Sequence, residues 1–249
     1  ILQLFPMFVD VIFRPLINGL QKTSYIGPTR ASGERHYRTQ ELAVDQIDPQ
    51  GLNLAVYLDA LDDDEKVQFA KWLSQHLDFS ASTRRMEGHV SILINENSPR
   101  DLDKQWIEES VSLADTGFGY SQILPIASQI WQKIRDVSSG RHDVARPPFS
   151  QILCIEQPEL HLHPSMQVRL ARLIASASKN GIVFLIETHS EYILNEVGRM
   201  VVNGEVGPDD VGIKIANKRD QYKTELSTAY FDQDRNLVNW PIGFFTPDA

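Results

Sequence analysis

The alternation of apolar and polar positions divides the chain into a mixed first half and a strongly α/β second half. From Ile1 to Gln21 the apolar residues are dense and loosely helical (Leu4, Phe8, Val11, Ile12, Leu16, Leu20), with Pro6 and Pro15 as interruptions. Ser24-Tyr25-Ile26 reads as a short strand entering Gly27-Pro28, followed by a basic loop with Arg30, Arg35, His36 and Arg38. Helical spacing runs over Leu52 to Leu61 and again over Asp64 to Leu77, where Asp62, Asp63 and Asp64 suit the positive N-terminal end. Val90 to Ile94 and Val111 to Ala114 predict strands, with a polar loop or hairpin end from Asn95 to Lys104 between them.

From Asp115 onward a glycine-containing turn leads into an amphipathic helix through Ile123, Ile126, Ile130, Trp131 and Ile134. A proline-containing loop, Ser138 to Ser150, precedes a buried strand at Ile152 to Ile155. A helix from Pro164 to about Ser178 and a second buried strand, Ile182 to Ile186, follow. Continuous apolar strands separated by a helix predict a parallel sheet covered on both faces. In the tail, Thr228 to Phe231 turns through Asp232 to Asn236 into Leu237-Val238, a hairpin pattern.

Composition narrows the class. At 249 residues with 42% hydrophobic and 23% charged positions, the chain holds one sizeable core or one core with an appendage. A formal net charge of -9 argues against a sequence-independent DNA clamp, although a local basic patch stays open. The single Cys154 excludes an internal disulfide framework and fits a reducing cytoplasm. No apolar run spans a bilayer, and the opening residues do not form a signal peptide. With no initiator Met, the sequence reads as a fragment, or as a chain lacking its earlier part.

Three segments carry chemistry. In Ile152-Leu153-Cys154-Ile155-Glu156-Gln157-Pro158-Glu159-Leu160-His161-Leu162-His163-Pro164, an acid ends an apolar strand. Such an acid emerges at the edge where α/β sheets bind ligands. In a nucleotide hydrolase it holds Mg²⁺, and the next residue positions or activates water. Taken alone, Glu156 reads better as an acid marking the return of the chain to solvent. The second segment, Val183 to Ser190, ends an apolar run in Glu187-Thr188-His189-Ser190. The third, Asp115-Thr116-Gly117-Phe118-Gly119-Tyr120-Ser121-Gln122, is a glycine-rich turn ending in a serine at a helix start, where free N–H groups attract phosphate. By itself that turn is a tight bend with Ser121 as an N-cap.

Together these segments resemble the Walker B, switch and divergent signature elements of ABC-type ATPases. The similarity is to the branch containing the overcoming-lysogenization-defect nucleases and related prokaryotic defence ATPases, and more distantly to RecF and SMC heads. The resemblance is most specific from Asp115 to about Asn195. It implies an α/β ABC-type head, a P-loop NTPase-like sheet flanked by helices, of which this chain is the C-terminal portion with a helical/β appendage. The implied organisation is a feeding region over 1–110, the ATPase core over 111–200 and a tail with a β-hairpin over 201–249. The implied cofactors are ATP and Mg²⁺, with Glu156 for the metal, Gln157 for the water and His189 for the γ-phosphate. Gly117, Gly119, Ser121, Gln122 and His163 would face nucleotide, the signature residues reading the γ-phosphate held by the opposite subunit. Heads of this kind pair around two ATP molecules, and the branch implies an effector partner such as a nuclease in anti-phage defence, with no membrane partner and nucleic acid left open.

Two departures qualify the resemblance. No Gly-x-x-x-x-Gly-Lys-Ser/Thr motif occurs, so this stretch does not cradle phosphates by itself; in the family that loop lies upstream. Gln157 stands where the family has its catalytic glutamate, and an amide does not take a proton as a carboxylate does. Slow turnover or stable ATP-bound dimers would follow, with Glu159 as a compensating group. A zinc site from Glu159, His161 and His163 lacks a fourth ligand. A metal-dependent nuclease using Asp232 and Asp234 is the rival from another class, against a plain polar turn.

Overall fold

The computed structural model describes residues 23–38, 44, 46–96, 104–138, 151–220 and 222–241. The expected helical character of Ile1 to Gln21 and the Ser138 to Ser150 loop lie, wholly or nearly so, outside them. The chain divides into two compact units, Ile1–His189 and Ser190–Ala249.

In the first unit the central feature is a parallel sheet of β1 (Ser24–Ile26), β6 (Ile152–Glu156) and β7 (Val183–Glu187), in the order β1-β6-β7. Register aligns Ile26 with Ile155 and Ile155 with Ile186, and pairs the terminal acids Glu156 and Glu187. Leu153, Ile155, Phe184 and Ile186 pack into the core with Ile123, Ile126 and Ile130 of α4 (Phe118–Ser138) and Leu170 and Leu173 of α5 (Pro164–Ser178). The opposite face corrects the expectation of cover on both sides: Val183 is 39% and Leu185 67% exposed, and Cys154 is half-buried. Alternation along β7 is therefore that of a half-buried strand, which an all-apolar sequence does not reveal.

A second, antiparallel sheet has the order β2-β4-β3, from β2 (Tyr37–Arg38), β4 (His89–Asn95) and β3 (Ser80–Met86), with β5 (Val111–Ser112) also on β4. β5 stops early because Leu113–Asp115 tightens into a 3₁₀ turn ahead of the glycine segment. Two further helices are α1 (Leu54–Asp59), shorter than its apolar spacing suggests, and α2 (Asp63–Leu77). Asp62 and Glu65 close a capping box at the start of α2, and Asp78 ends it in the left-handed region at φ 58°. A short helix, α3 (Lys104–Glu109), leads toward β5.

Gly51, at φ +75°, sits where a Cβ would lie 2.8 Å from Cγ of Pro125, so the loop before α1 closes on α4 only with glycine there. Beyond His189, α6 (Glu191–Val202) begins on the Ser190 cap, and β8 (Ile213–Lys218), β9 (Thr224–Phe231) and β10 (Leu237–Val238) form an antiparallel sheet in the order β10-β9-β8. The β9–β10 hairpin matches its sequence pattern, though β9 starts earlier, at Thr224.

Candidate functional site

Parallel strands deliver their C-terminal ends to one rim, and here that rim gathers the loops after β1, β6 and β7. Glu156 ends β6 directly beside Glu187 on β7, with His189 two residues further on. The Glu156 carboxylate beside the Tyr25 hydroxyl, as a hydrogen-bond acceptor and a negative charge, pushes the phenol's pKa above its ordinary value.

After Glu156 the chain turns sharply. Gln157 takes φ 42°, a left-handed conformation that is strained for a non-glycine residue, and its N–H donates to Glu187 O at 2.8 Å. His161 is also left-handed at φ 61°. Between them, Glu159 reaches across to the neighbouring loop: its two oxygens accept from the Thr188 hydroxyl and the His189 N–H, each at 2.8 Å. Both oxygens of the residue expected to compensate as a base are thus committed to holding the turn that carries His189. Nδ1 of His163 accepts from Ser165 N–H as the N-cap of α5, with Pro164 in the first turn; that nitrogen has a structural task.

Beneath the turn lies Arg30, 3% exposed. Its Nη1 donates to Gly27 O at 3.0 Å and Glu156 O at 3.4 Å, and its Nη2 to Gln157 O at 3.2 Å. Burial pushes the guanidinium pKa down to about 10, with Glu159 opposing the shift, so the group stays charged near neutral pH.

The glycine segment packs onto the same region. A Cβ on Gly119 would lie 3.1 Å from His161 O and 3.6 Å from Leu162 Cδ2, so the start of α4 rides closely over the loop after β6. Phe118 and His161 meet edge to face with ring centroids 4.7 Å apart. Gly117 is exposed, and a Cβ there would meet nothing. Ser121 and Gln122 are placed otherwise than the sequence pattern suggests. α4 starts at Phe118, so Ser121 sits inside the first turn rather than capping it. It is 4% exposed and donates to Phe118 O at 2.7 Å. Gln122, 1% exposed, donates from Nε2 to Arg30 O and Ser121 Oγ. In this structure their polar groups bond within the fold.

Arg35 joins the basic loop to the glycine segment through an ion pair with Asp115 at 2.5 Å, and a cleft of about 390 Å³ opens beside it, lined by His36, Arg84, Ser91 and Ser112 among others. Asp232, one of the two acids of the nuclease rival, accepts from Asn236 N–H at 2.8 Å, which makes it the closing residue of the β9–β10 turn. Among the described residues no three His, Cys, Asp or Glu side chains gather as a metal cluster, and no helix is long and apolar enough to cross a membrane.

Sequence reasoning did not single out Tyr25 or Glu187, and left Arg30, after Gly27-Pro28-Thr29, in a basic loop open to contact with nucleotide, nucleic acid or a partner chain, or to plain solvation. Glu187 obeys the rule that flagged Glu156, an acid closing an apolar run. Arg30 announces itself only as the cation after a strand and a Gly-Pro turn, and Tyr25 carries no signal.

Among solved structures, the chain is similar to an SMC ATPase described for ATP-driven dimerization and DNA-stimulated activation, at 14% identity and a TM-score of 0.43, over 66% of this chain and 81% of that one. It is similar to an SmcHead bound to the C-winged helix domain of ScpA, at 12% identity and a TM-score of 0.45, over 72% of this chain and 45% of that one. A third likeness is to the Smc head domain with a coiled coil and joint from Pyrococcus yayanosii, at 14% identity and a TM-score of 0.42, over 66% and 26%. The chain therefore spans less than half of the latter two, and likenesses this distant assign no residue a role. No curated protein matches. The family described as AAA ATPase domain matches residues 21–194, and the chain belongs to it.

Proposed function

We propose that this chain is the ATP-binding and hydrolysing part of an ABC-type head that pairs with a second head around nucleotide. The observation that carries the reading is the shared rim, where Glu156 and His189 leave adjacent parallel strands in matched register. A partly exposed carboxylate at a strand end, beside a second acid, suits a divalent cation with a triphosphate. Mg²⁺ there would neutralise charge on the phosphate oxygens; Glu156 would hold it. Gln157, fixed in its strained turn, orients a water without accepting its proton. His189, its peptide clamped by Glu159, presents an imidazole to the γ-phosphate. The exposed Gly117 edge faces the partner's nucleotide; Ser121, being buried, is left out of that surface.

A second reading, a nucleotide-gated scaffold with little hydrolysis, is favoured by Gln157 itself. Control of an effector such as a nuclease, and a place in anti-phage defence, rest on the resemblance alone.

Light scattering on the full-length protein tests pairing: ATP with Mg²⁺ should double the mass and ADP should not, whereas a mass indifferent to nucleotide would remove the sandwich. Gln157→Glu separates the two readings. Turnover rising at least several-fold is expected, and an unchanged or lower rate would remove Gln157 as the brake.

A further inference from the structure

We infer that Arg30 is a positioning residue for the hydrolytic water, acting through the Gln157 peptide, and that it ties this peptide to helix α4. The inference rests on the ATPase reading above and deepens it.

Three observations converge. First, Arg30 spends its fork on main-chain carbonyls at two strand exits: Gly27 O after β1, and Glu156 O and Gln157 O after β6. A cation held only for charge balance would pair with a carboxylate; this one is aimed at the backbone of the turn. Second, that turn holds a left-handed non-glycine residue, a conformation that persists only where surrounding bonds over-determine it. The Gln157 N–H is fixed by Glu187 O and its carbonyl by Arg30, so the peptides on both sides of the strained Cα are held. Third, Arg30 carries the connection onward, because its own carbonyl accepts from Gln122 Nε2 in the first turns of α4. Nε of Arg30 has no partner though it is buried, so the guanidinium is placed for its carbonyl contacts at the expense of one donor.

The glycine edge at the start of α4 is where the partner head's nucleotide would sit. A shift of α4 reaches Gln157 through Gln122 and Arg30, which gives a route by which occupancy across the interface sets the water-orienting side chain.

The test is a double-mutant cycle in the full-length protein with Arg30→Met and Gln157→Ala, reading kcat, KM and ATP affinity. Arg30→Met should lower kcat about tenfold or more while ATP affinity changes less than about threefold. In the Gln157→Ala background, itself slowed, it should lower kcat less than about twofold further, because its route of action is already gone. Equal losses in both backgrounds, an effect confined to ATP affinity, or an unaltered kcat would overturn the inference. If Arg30→Met does not fold, Arg30→Lys keeps the charge and stem but not the planar fork, and the same cycle applies to it. Hydrolysis slowed by Gln157→Ala but untouched by either Arg30 variant sinks this inference alone; a wild-type protein that neither binds nor hydrolyses ATP sinks the reading beneath it.

Discussion

Glu159 holds the main chain of His189: one carboxylate oxygen accepts from the His189 N–H at 2.8 Å while the other accepts from the Thr188 hydroxyl at 2.8 Å. The loop after β6 thereby sets where the loop after β7 presents its imidazole. Two residues that lie 30 apart in sequence are joined directly at the rim.

Glu159→Ala in the full-length protein removes both bonds. Turnover should fall about tenfold or more, the scale of losing a charged acceptor that orders a catalytic loop. Glu159→Gln retains an oxygen for one of the two donors and should fall in between. Steady-state kinetics check it, and a fully active Glu159→Ala would remove the clamp.

Gly51→Ala tests the packing under α4. At φ +75° and with Pro125 Cγ 2.8 Å from the new Cβ, both backbone strain and overlap oppose the change. A loss of stability of about 1–3 kcal/mol is expected, read as a lower denaturant midpoint at unchanged slope. Gly117→Ala meets nothing and should leave the midpoint nearly where it was.

Alkaline pH should ionise four of the phenols late. Burial pushes Tyr57 and Tyr120 up to about 12 and raises Tyr37, while the bond to Glu156 raises Tyr25. Raised folded-state values favour the protonated phenol, so the stability they contribute is full below pH 10 and is lost as pH rises through 10 toward about 12. Absorbance titration should show these four of the seven tyrosines ionising above the ordinary range until unfolding releases them.

Cys154 sits on the open face of the parallel sheet, half-buried, and burial raises its thiol pKa. Alkylation should be slower than for an unperturbed thiol at pH 8 and keep accelerating above pH 9, because only the thiolate reacts.

The β6–α5–β7 unit was legible because its signals agree: apolar runs ended by acids, a Pro at a helix start, and a crossover of helical length. Strand β3 was not, since Ser80-Ala-Ser-Thr-Arg-Arg-Met has too few apolar residues to show a period of two; its pairing along the whole of β4 makes it a strand. α6 passed unmarked although Ser190 and Glu191 are a helix-start signal, and β8 for want of a clear turn signal. At the site, strand-end position was readable one residue at a time, whereas the tasks of Arg30, Glu159 and Gln122 depend on contacts across loops. Ser121 shows the converse. A serine after glycines suggested a helix cap, but the helix begins three residues earlier and turns that hydroxyl inward.

The most direct test of the central claim is Mg²⁺-dependent ATP hydrolysis by the full-length protein with Glu156→Gln and His189→Ala alongside wild type. Measurable wild-type turnover, with a loss of about a hundredfold or more in Glu156→Gln and about tenfold or more in His189→Ala, is the predicted result. Wild-type rates in both variants would contradict it, for then the chemistry is not at the shared end of β6 and β7.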